Sequence, residues 1–378
     1  MDFGFSEEQT ALRTLARGIL EAEVTPERRK QAETGPDGFD RELWSTLAEA
    51  NLLGLAVPES FGGMGFGLLE LLVLLEEVGR SVAPLPALAA LVLGGLPIAR
   101  FGSAEQRKRW LPPLAAGQTV LSAGLVDADA DDVTKPATRA RRMDGAWVLD
   151  GRKRFVPFAA CAERVLVPAR VPDGVGLFLV DSGATGLERT RAETSTGEPS
   201  FDLTLAGVRV GADARLGGDA ADGAAMARWL YEHALVATCA LQVGVCERAL
   251  EITAGYVRER EQFGAPIGSF QAVSQRCADA FIDLEAIRWS TWRAAWRLAE
   301  GLPAAREAAV AKVWAAEAGV RIADTAQHLH GGIGVDVDYP IHRHFLWSRS
   351  LALGLGSAAP QLAWLGRDMA RTGPQEGV

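Results

Sequence analysis

Apolar residues along this chain change their period twice. From Ser6 to about Trp110 they recur at helical spacing, through Leu12, Leu15 and Ile19 and again from Leu68 to Val78, which predicts a series of α-helices. Ser6 with Gln9 and Ser103 with Gln106 each match a capping box at a helix start. The most apolar run, Ala83 to Ala99, is broken by three prolines and two glycines and barely approaches bilayer length; it is expected to be a core helix with its lead-in loop. From about Thr119 to Gly217 the pattern gives way to short β-branched runs, at 146–149, 165–171, 176–180, 200–205 and 208–210, separated by Gly, Asp and Pro. These predict an antiparallel β domain. From Ala220 the helical period returns in segments of roughly 20 to 35 residues, long enough for an antiparallel bundle. The expected fold class is therefore α+β, with an N-terminal helical domain over 1–118, a central antiparallel β domain over 119–217 and a C-terminal helical bundle over 218–378.

Composition agrees with several domains in one globular chain. At 378 residues, with 48% hydrophobic and 23% charged residues, it exceeds one ordinary core and is not disordered. A net charge of −9 argues against a nucleic-acid partner, which needs a basic surface, and no segment predicts a membrane span. Cys161, Cys239, Cys246 and Cys277 show no CxxC or metal-ligand spacing, so a reduced cytoplasmic protein with buried thiols is the economical reading. The acidic start, Met1 to Gly4, lacks the apolar core of a targeting segment. There is no internal repeat.

The stretch from Tyr256 to Gln271 carries the first candidate chemistry. A helix from about Ala221 is expected to bring Tyr256, Arg258 and Arg260 to its end, where Phe263-Gly264 and Pro266-Ile267-Gly268 break it. An arginine in a last turn suits the helix dipole and still reaches outward to an anion. The next helix is expected to open near Ser269 as its N-cap, which puts Phe270 and Gln271 in a first turn whose N–H groups face any nearby phosphate. On spacing alone, an ordinary helix–loop–helix with a packed Phe and a solvated Arg accounts for the same residues equally well. The segment nevertheless resembles the C-terminal signature of the acyl-CoA dehydrogenase family. That resemblance implies that Arg260, Gln262, Phe263, Ile267, Phe270 and Gln271 contact FAD held by a neighbouring subunit. The order of helical, β and helical segments is similar to that family over nearly the whole chain, and the glycine-rich string from Val57 to Gly65 resembles its Pro-Glu-x-x-Gly-Gly-x-Gly loop.

A second element, Ala326 to Gly334, ends a predicted helix in three glycines, which let a ligand approach the main chain with no Cβ in the way. Alone it reads as a helix C-cap with a tight turn. The family's Gln-x-x-Gly-Gly-x-Gly places its Gln on His328, with Gln327 beside it, so the resemblance implies cofactor contacts from His328, Gly331 and Gly332. Four of the five histidines, His328, His330, His342 and His344, fall in this region. None is spaced as a helical ligand pair, so they are expected to be lining and capping residues and no metal site is expected.

Dehydrogenating an acyl thioester requires a base for the α proton and a hydride acceptor on the opposite face. Counting on from Tyr339-Pro340, the family's usual catalytic Glu falls on Leu355, within Gly354-Leu355-Gly356-Ser357. An alternative location in some relatives registers on Ala234. Glu232 is two residues, or about 200° of helix, away, and Glu247 and Glu251 read as solvated. No catalytic base is therefore assigned.

The β domain shows a parallel change. The family's flavin-wrapping loop corresponds to Leu125 to Asp132, where Asp127, Asp129, Asp131 and Asp132 would repel a diphosphate unless they face solvent. Its Gly-x-Lys-x-Trp-Ile-Thr corresponds to Gly151 to Pro157, putting Phe155 in the place of the Trp that packs on the flavin and Pro157, which has no hydroxyl, in the place of the Thr. This pattern is most similar to the base-lacking subunits of actinobacterial hetero-oligomeric acyl-CoA dehydrogenases, several of which act in steroid side-chain degradation. The resemblance implies FAD as cofactor, an acyl-CoA substrate, a second acyl-CoA dehydrogenase chain or copy as partner, and an electron-transfer flavoprotein or similar acceptor. A self-sufficient dehydrogenase with a relocated base and a non-catalytic acyl-CoA-binding scaffold remain as alternatives. Ten Trp against three Tyr, with Trp289, Trp292, Trp296 and Trp314 in the central helices, predict a subunit interface there.

Overall fold

In a computed structural model, residues 4–373 are described, and they divide into two compact units. One comprises the chain up to Leu74 together with Pro84–Ala234. Its helices start where the capping residues predict. Both expected capping boxes form, at α1 (Glu7–Glu23) and, further on, at Ala104–Ala115. Thr25 caps α2 (Pro26–Thr34), and Asp40 caps α3 (Arg41–Glu49) while its carboxylate takes both Nε and Nη2 of Arg28. The glycine-rich string before α4 (Leu68–Ser81) is a tight turn, tied by Gly65 N–H to Val57 O and Met64 N–H to Gly54 O. The run from Ala83 enters as a loop and becomes helical as expected, with π-type winding over Leu88–Gly95 before α5 (Leu96–Phe101). Pro97, near the start of α5, has no N–H for an ordinary helical bond, and a widened turn absorbs that loss. In α6 (Ala104–Ala115), the buried Gln106 donates to the carbonyls of Asp213 and Arg215.

Eight strands build one sheet. They are β1 (Leu121–Ala123), β2 (Val126–Asp127), β3 (Arg139–Met143), β4 (Ala146–Pro157), β5 (Arg164–Val171), β6 (Gly174–Asp181), β7 (Leu187–Ala192) and β8 (Ser200–Val210). The path is β1-β5-β3-β4-β8-β7, with β2 on β4 and β6 on β5. The expectation of a wholly antiparallel domain is corrected here, because β5 runs parallel to both β1 and β3. The two runs expected over 200–205 and 208–210 are one strand. β3 and β7 were not visible as strands: Arg-Ala-Arg-Arg-Met and Leu-Glu-Arg-Thr-Arg-Ala lack a β-branched pattern, and their backbones are recruited by neighbours in the ladder.

Within this unit Lys153 and Asp127 form a buried ion pair of 2.8 Å, at 0% and 4% side-chain exposure. Thr138 adds two hydrogen bonds to the same carboxylate oxygen. Burial works against the charge of Asp127, but Lys153 and Thr138 outweigh it and hold the carboxyl below the usual range. Asp127 thus points into the domain, a way of removing its repulsion that the sequence did not suggest. Asp129 pairs with Arg152, and Asp132 binds the backbone N–H and hydroxyl of Thr134.

The second unit comprises Leu75–Ala83 and the chain from Leu235 on. The long helix α7 (Gly223–Glu259) enters it and is followed by a two-residue hairpin, β9 (Glu261–Gln262) with β10 (Ala265–Pro266). The remaining helices are α8 (Gln271–Ala299), α9 (Ala305–His330), α10 (Pro340–Leu353) and α11 (Ala358–Thr372). The end of α4 crosses α7 with the backbones touching, since a Cβ on Gly79 would lie 2.1 Å from Leu241 O and one on Gly244 1.8 Å from Glu76 O. Beside the crossing, Arg80 is buried between Glu247 at 3.3 Å and Glu251 at 2.5 Å, and Arg288 of α8 shares Glu247 at 2.7 Å. Glu247 and Glu251 are solvent-accessible as expected, at 30% and 42% side-chain exposure, and they also neutralise a buried cation.

Asp127→Asn would leave Lys153 charged in a site without a counter-ion and should destabilise the chain by about 3–5 kcal/mol in urea unfolding. Replacing both partners by Leu and Met should cost far less. Because the folded carboxyl lies below its unfolded value, the pair's contribution is full above about pH 4 and lost as pH falls through the folded value. An acid limb of stability identical in Asp127→Asn and wild type would contradict this.

Candidate functional site

α7 stops at Glu259, so Arg260 lies just beyond the helix rather than in its last turn; its N–H still donates to Tyr256 O at 2.8 Å. The hairpin turns on Phe263 and Gly264, whose φ values of 56° and 78° are both left-handed. Two such residues in sequence are what a two-residue loop matching the strand twist requires. Glycine meets this freely, whereas phenylalanine is strained by roughly 1–3 kcal/mol. Ile267 N–H closes the hairpin on Arg260 O at 2.7 Å. Phe263 is 95% exposed and meets Phe270 edge-on at 6.2 Å. Ser269 does not cap the next helix, a second correction: its hydroxyl donates to Pro266 O within a 3-10 turn, and Phe270 occupies the cap position without a side-chain bond to the helix. Arg260, Gln262, Phe263, Phe270 and Gln271 are all exposed, with Ile267 half-buried among them.

The other segment is built by the end of α9. Gly331, at φ 60°, ends the helix, and a Cβ on Gly331 or Gly332 would meet nothing within 4 Å. His328 is exposed, whereas Gln327 turns inward beside Gly334 with its Oε1 buried and unpartnered among the described residues. His328 is thus the outward-facing donor of the two. The segments meet through His330, whose ring stacks on Tyr256 at 4.5 Å and lies 5.2 Å from Tyr339. Sequence reasoning had placed His330 only among lining and capping residues. Among the described residues no group of three His, Cys, Asp or Glu could hold a metal ion.

Neither place considered for a base carries one. Ala234 is fully buried. Leu355 is half-buried at φ 57°, followed by Gly356 at φ 94°. Just before this turn, Lys312 of α9, itself 0% exposed, reaches the last carbonyls of α10, Leu351 O at 2.5 Å and Ala352 O at 3.4 Å. A cation there suits the helix end. Burial pushes its pKa down to about 8, with Cys239 opposing. Lys312 was missed in the sequence, although a lone lysine inside Ala-Ala-Val-Ala-Lys-Val-Trp-Ala, in a chain with five lysines among 39 basic residues, was the available signal. In the other unit, Phe155 sits at a β-bulge of β4 with φ 53°, 56% exposed, its N–H donating to Asp202 Oδ1 and Arg154 lying over its ring at 4.9 Å.

An exposed arginine, exposed aromatic rings, a helix start with no side-chain cap and open glycine backbone lie on the segments joined through His330 and Tyr256, and that donor set fits a dinucleotide carrying a diphosphate. Three stretches of the chain, residues 6–118, 127–206 and 221–370, match the acyl-CoA dehydrogenase N-terminal, middle and C-terminal domains. The acyl-CoA dehydrogenase FadE27 of Mycobacterium tuberculosis is 40% identical over 98% of this chain and 100% of its own length. Among solved structures, a variant of the Tcur3481-Tcur3483 steroid ACAD is 44% identical with a TM-score of 0.90, covering 97% of this chain and 98% of its own. The ChsE4-ChsE5 complex from Mycobacterium tuberculosis is 40% identical with a TM-score of 0.92, covering 98% and 100%.

Lys312 gives the site a pH signature. Between its folded value of about 8 and its ordinary value of 10.5, the unfolded chain binds a proton that the folded chain does not, so stability should rise with pH across that window. Below it both states are protonated and the cost of the buried charge is constant. Urea midpoints of wild type and Lys312→Met measured through the window should diverge, with only wild type gaining from this source. Parallel curves would contradict the assignment.

Proposed function

Because this chain belongs to the acyl-CoA dehydrogenase family, whose members are FAD-binding oxidoreductases acting on CH–CH donors, we propose that it is the base-lacking subunit of a two-chain enzyme and completes an FAD site on its partner. One observation supports this reading: Arg260, Gln262, Phe263, Phe270, Gln271 and His328 face outward while both positions considered for a base, Leu355 and Ala234, hold apolar side chains. FAD supplies the hydride acceptor for α,β-dehydrogenation of an acyl-CoA thioester. Arg260 would pair with its pyrophosphate. Gln262, Phe263, Ile267, Phe270, Gln271 and His328 would line it, and Gly331 and Gly332 would let it approach the main chain. Phe155 would serve the chain's own β domain, within the division 1–118, 119–217 and 218–378.

The partner's place is suggested by an apolar stripe. Ile282, Trp289 and Trp296 recur at heptad spacing on α8 at 65%, 49% and 47% exposure, and Trp314 on α9 is 40% exposed. A second acyl-CoA dehydrogenase chain would cover them in an obligate assembly burying more than about 2,000 Å² per pair. The substrate class would be a steroid-derived acyl-CoA, as the steroid ACAD relative suggests, with reoxidation by an electron-transfer flavoprotein. No helix among the described residues is long and apolar enough to cross a membrane, and the cytoplasm is the compartment of this reading.

The purified chain alone should oxidise short-, medium- and long-chain acyl-CoA thioesters and a steroid-derived one poorly or not at all, since a base contributes about 10² to 10⁴ in rate. Supplying the partner chain should restore turnover. Robust turnover by the lone chain would sink the proposal. If that turnover were then abolished by Glu232→Gln, whose carboxyl burial pushes up, the relocated-base reading would take over.

Arg260→Ala should lower FAD affinity about ten- to a hundred-fold, the loss of one charge-assisted contact of roughly 1.5–3 kcal/mol. Melting temperature should barely move. FAD content after gel filtration reads this directly, and unchanged content with a large loss of melting temperature would assign Arg260 to folding instead.

A further inference from the structure

Resting on the FAD surface proposed above, we infer that His330 is a positioning residue, which by stacking on Tyr256 and meeting Tyr339 at a tilt fixes the hairpin carrying Arg260 against the Gly331–Gly332 turn. The ring is 3% exposed and does not itself face outward. Its Nδ1 lies 2.7 Å from Ala326 O. A carbonyl can only accept, so Nδ1 carries the proton and Nε2 of the neutral ring is a bare acceptor. Nε2 is buried and has no donor among the described residues. Burial lowers the pKa of the ring, in keeping with the neutral form.

The bond to Ala326 O fixes the rotation of the ring, and that rotation sets the stack. Tyr256 lies at 4.5 Å and 26° to it, and Tyr339 at 5.2 Å and 55°. Each contact reaches a different part of the candidate surface. Tyr256 O accepts the N–H of Arg260 at 2.8 Å, so its placement sets where the hairpin leaves α7. His330 directly precedes the left-handed Gly331, and Tyr339 directly precedes Pro340 at the start of α10. An aliphatic side chain would fill the space but would neither hold one ring plane nor stack. His328, two residues earlier and exposed, is placed to touch a ligand; His330 acts through the residues around it.

The test uses the enzyme assembled with its partner chain, with Arg260→Ala, His330→Ala, His330→Phe and Tyr256→Leu variants. FAD dissociation constants are measured by titration into the apo complex, alongside elution volume and melting temperature. His330→Ala and Tyr256→Leu should weaken FAD about ten- to a hundred-fold, as expected when binding groups are misplaced rather than removed, while the complex elutes intact. His330→Phe, which keeps a flat ring for Tyr256 but loses the bond to Ala326 O, should recover part of the affinity. Normal FAD affinity in His330→Ala, with affinity lost in Arg260→Ala, overturns the positioning role and leaves the FAD surface standing. Normal affinity in Arg260→Ala overturns the surface itself. If His330→Ala fails to assemble, Tyr256→Leu decides, and normal FAD affinity there overturns the inference. It is equally overturned if His330→Phe is no better than His330→Ala, or if FAD loss only tracks loss of assembled complex.

Discussion

The place where α4 and α7 touch backbone to backbone governs the second unit. With Gly79 and Gly244 at the contact, no side chain separates the helices, and any larger residue would force them apart. Such proximity buries whatever lies next to it, here Arg80, and a buried guanidinium persists only if it is paired. Glu247 and Glu251, one turn apart on α7, supply the charge, and Arg288 draws α8 into the same group. His344 of α10 adds a contact at 3.1 Å to Arg80 O. Four helices are thereby fixed to one another, and α7 runs from that junction to Tyr256 and the hairpin. The course of the hairpin end of α7 is decided before the helix reaches it.

Two turns of the second unit hold non-glycine residues in the left-handed region. Phe263 holds a left-handed conformation at the exposed hairpin tip, where glycine would be easier. Leu355 holds another in the turn after α10. Just before this turn the end of α10 is anchored from within by Lys312.

The two buried lysines show different solutions to one problem. Lys153 meets a full negative charge in Asp127, and the pair is closed by Thr138. Lys312 meets only the partial charges of a helix end. Burial lowers the pKa of both ammonium groups: Asp127 opposes it at Lys153, whereas Lys312, with Cys239 opposing, is brought down to about 8.

What the sequence by itself determined was whatever depends on neighbours along the chain. Capping boxes at Ser6 and Ser103, the change of hydrophobic period at the β segment and the glycines after His330 were legible because cap, period and left-handed turn are set within a few residues. The family motifs were legible for the same reason, being short strings of neighbouring residues. Tertiary structure alone decided what depends on groups distant in sequence. Arg-rich β3 and β7 became strands because neighbouring ladders recruited them, and β5 took parallel partners. Asp127 and Glu251 look like surface acids until Lys153 and Arg80 are brought to them. Tyr256, His330 and Tyr339 come together only after three helix ends converge, because no local pattern specifies which buried faces meet.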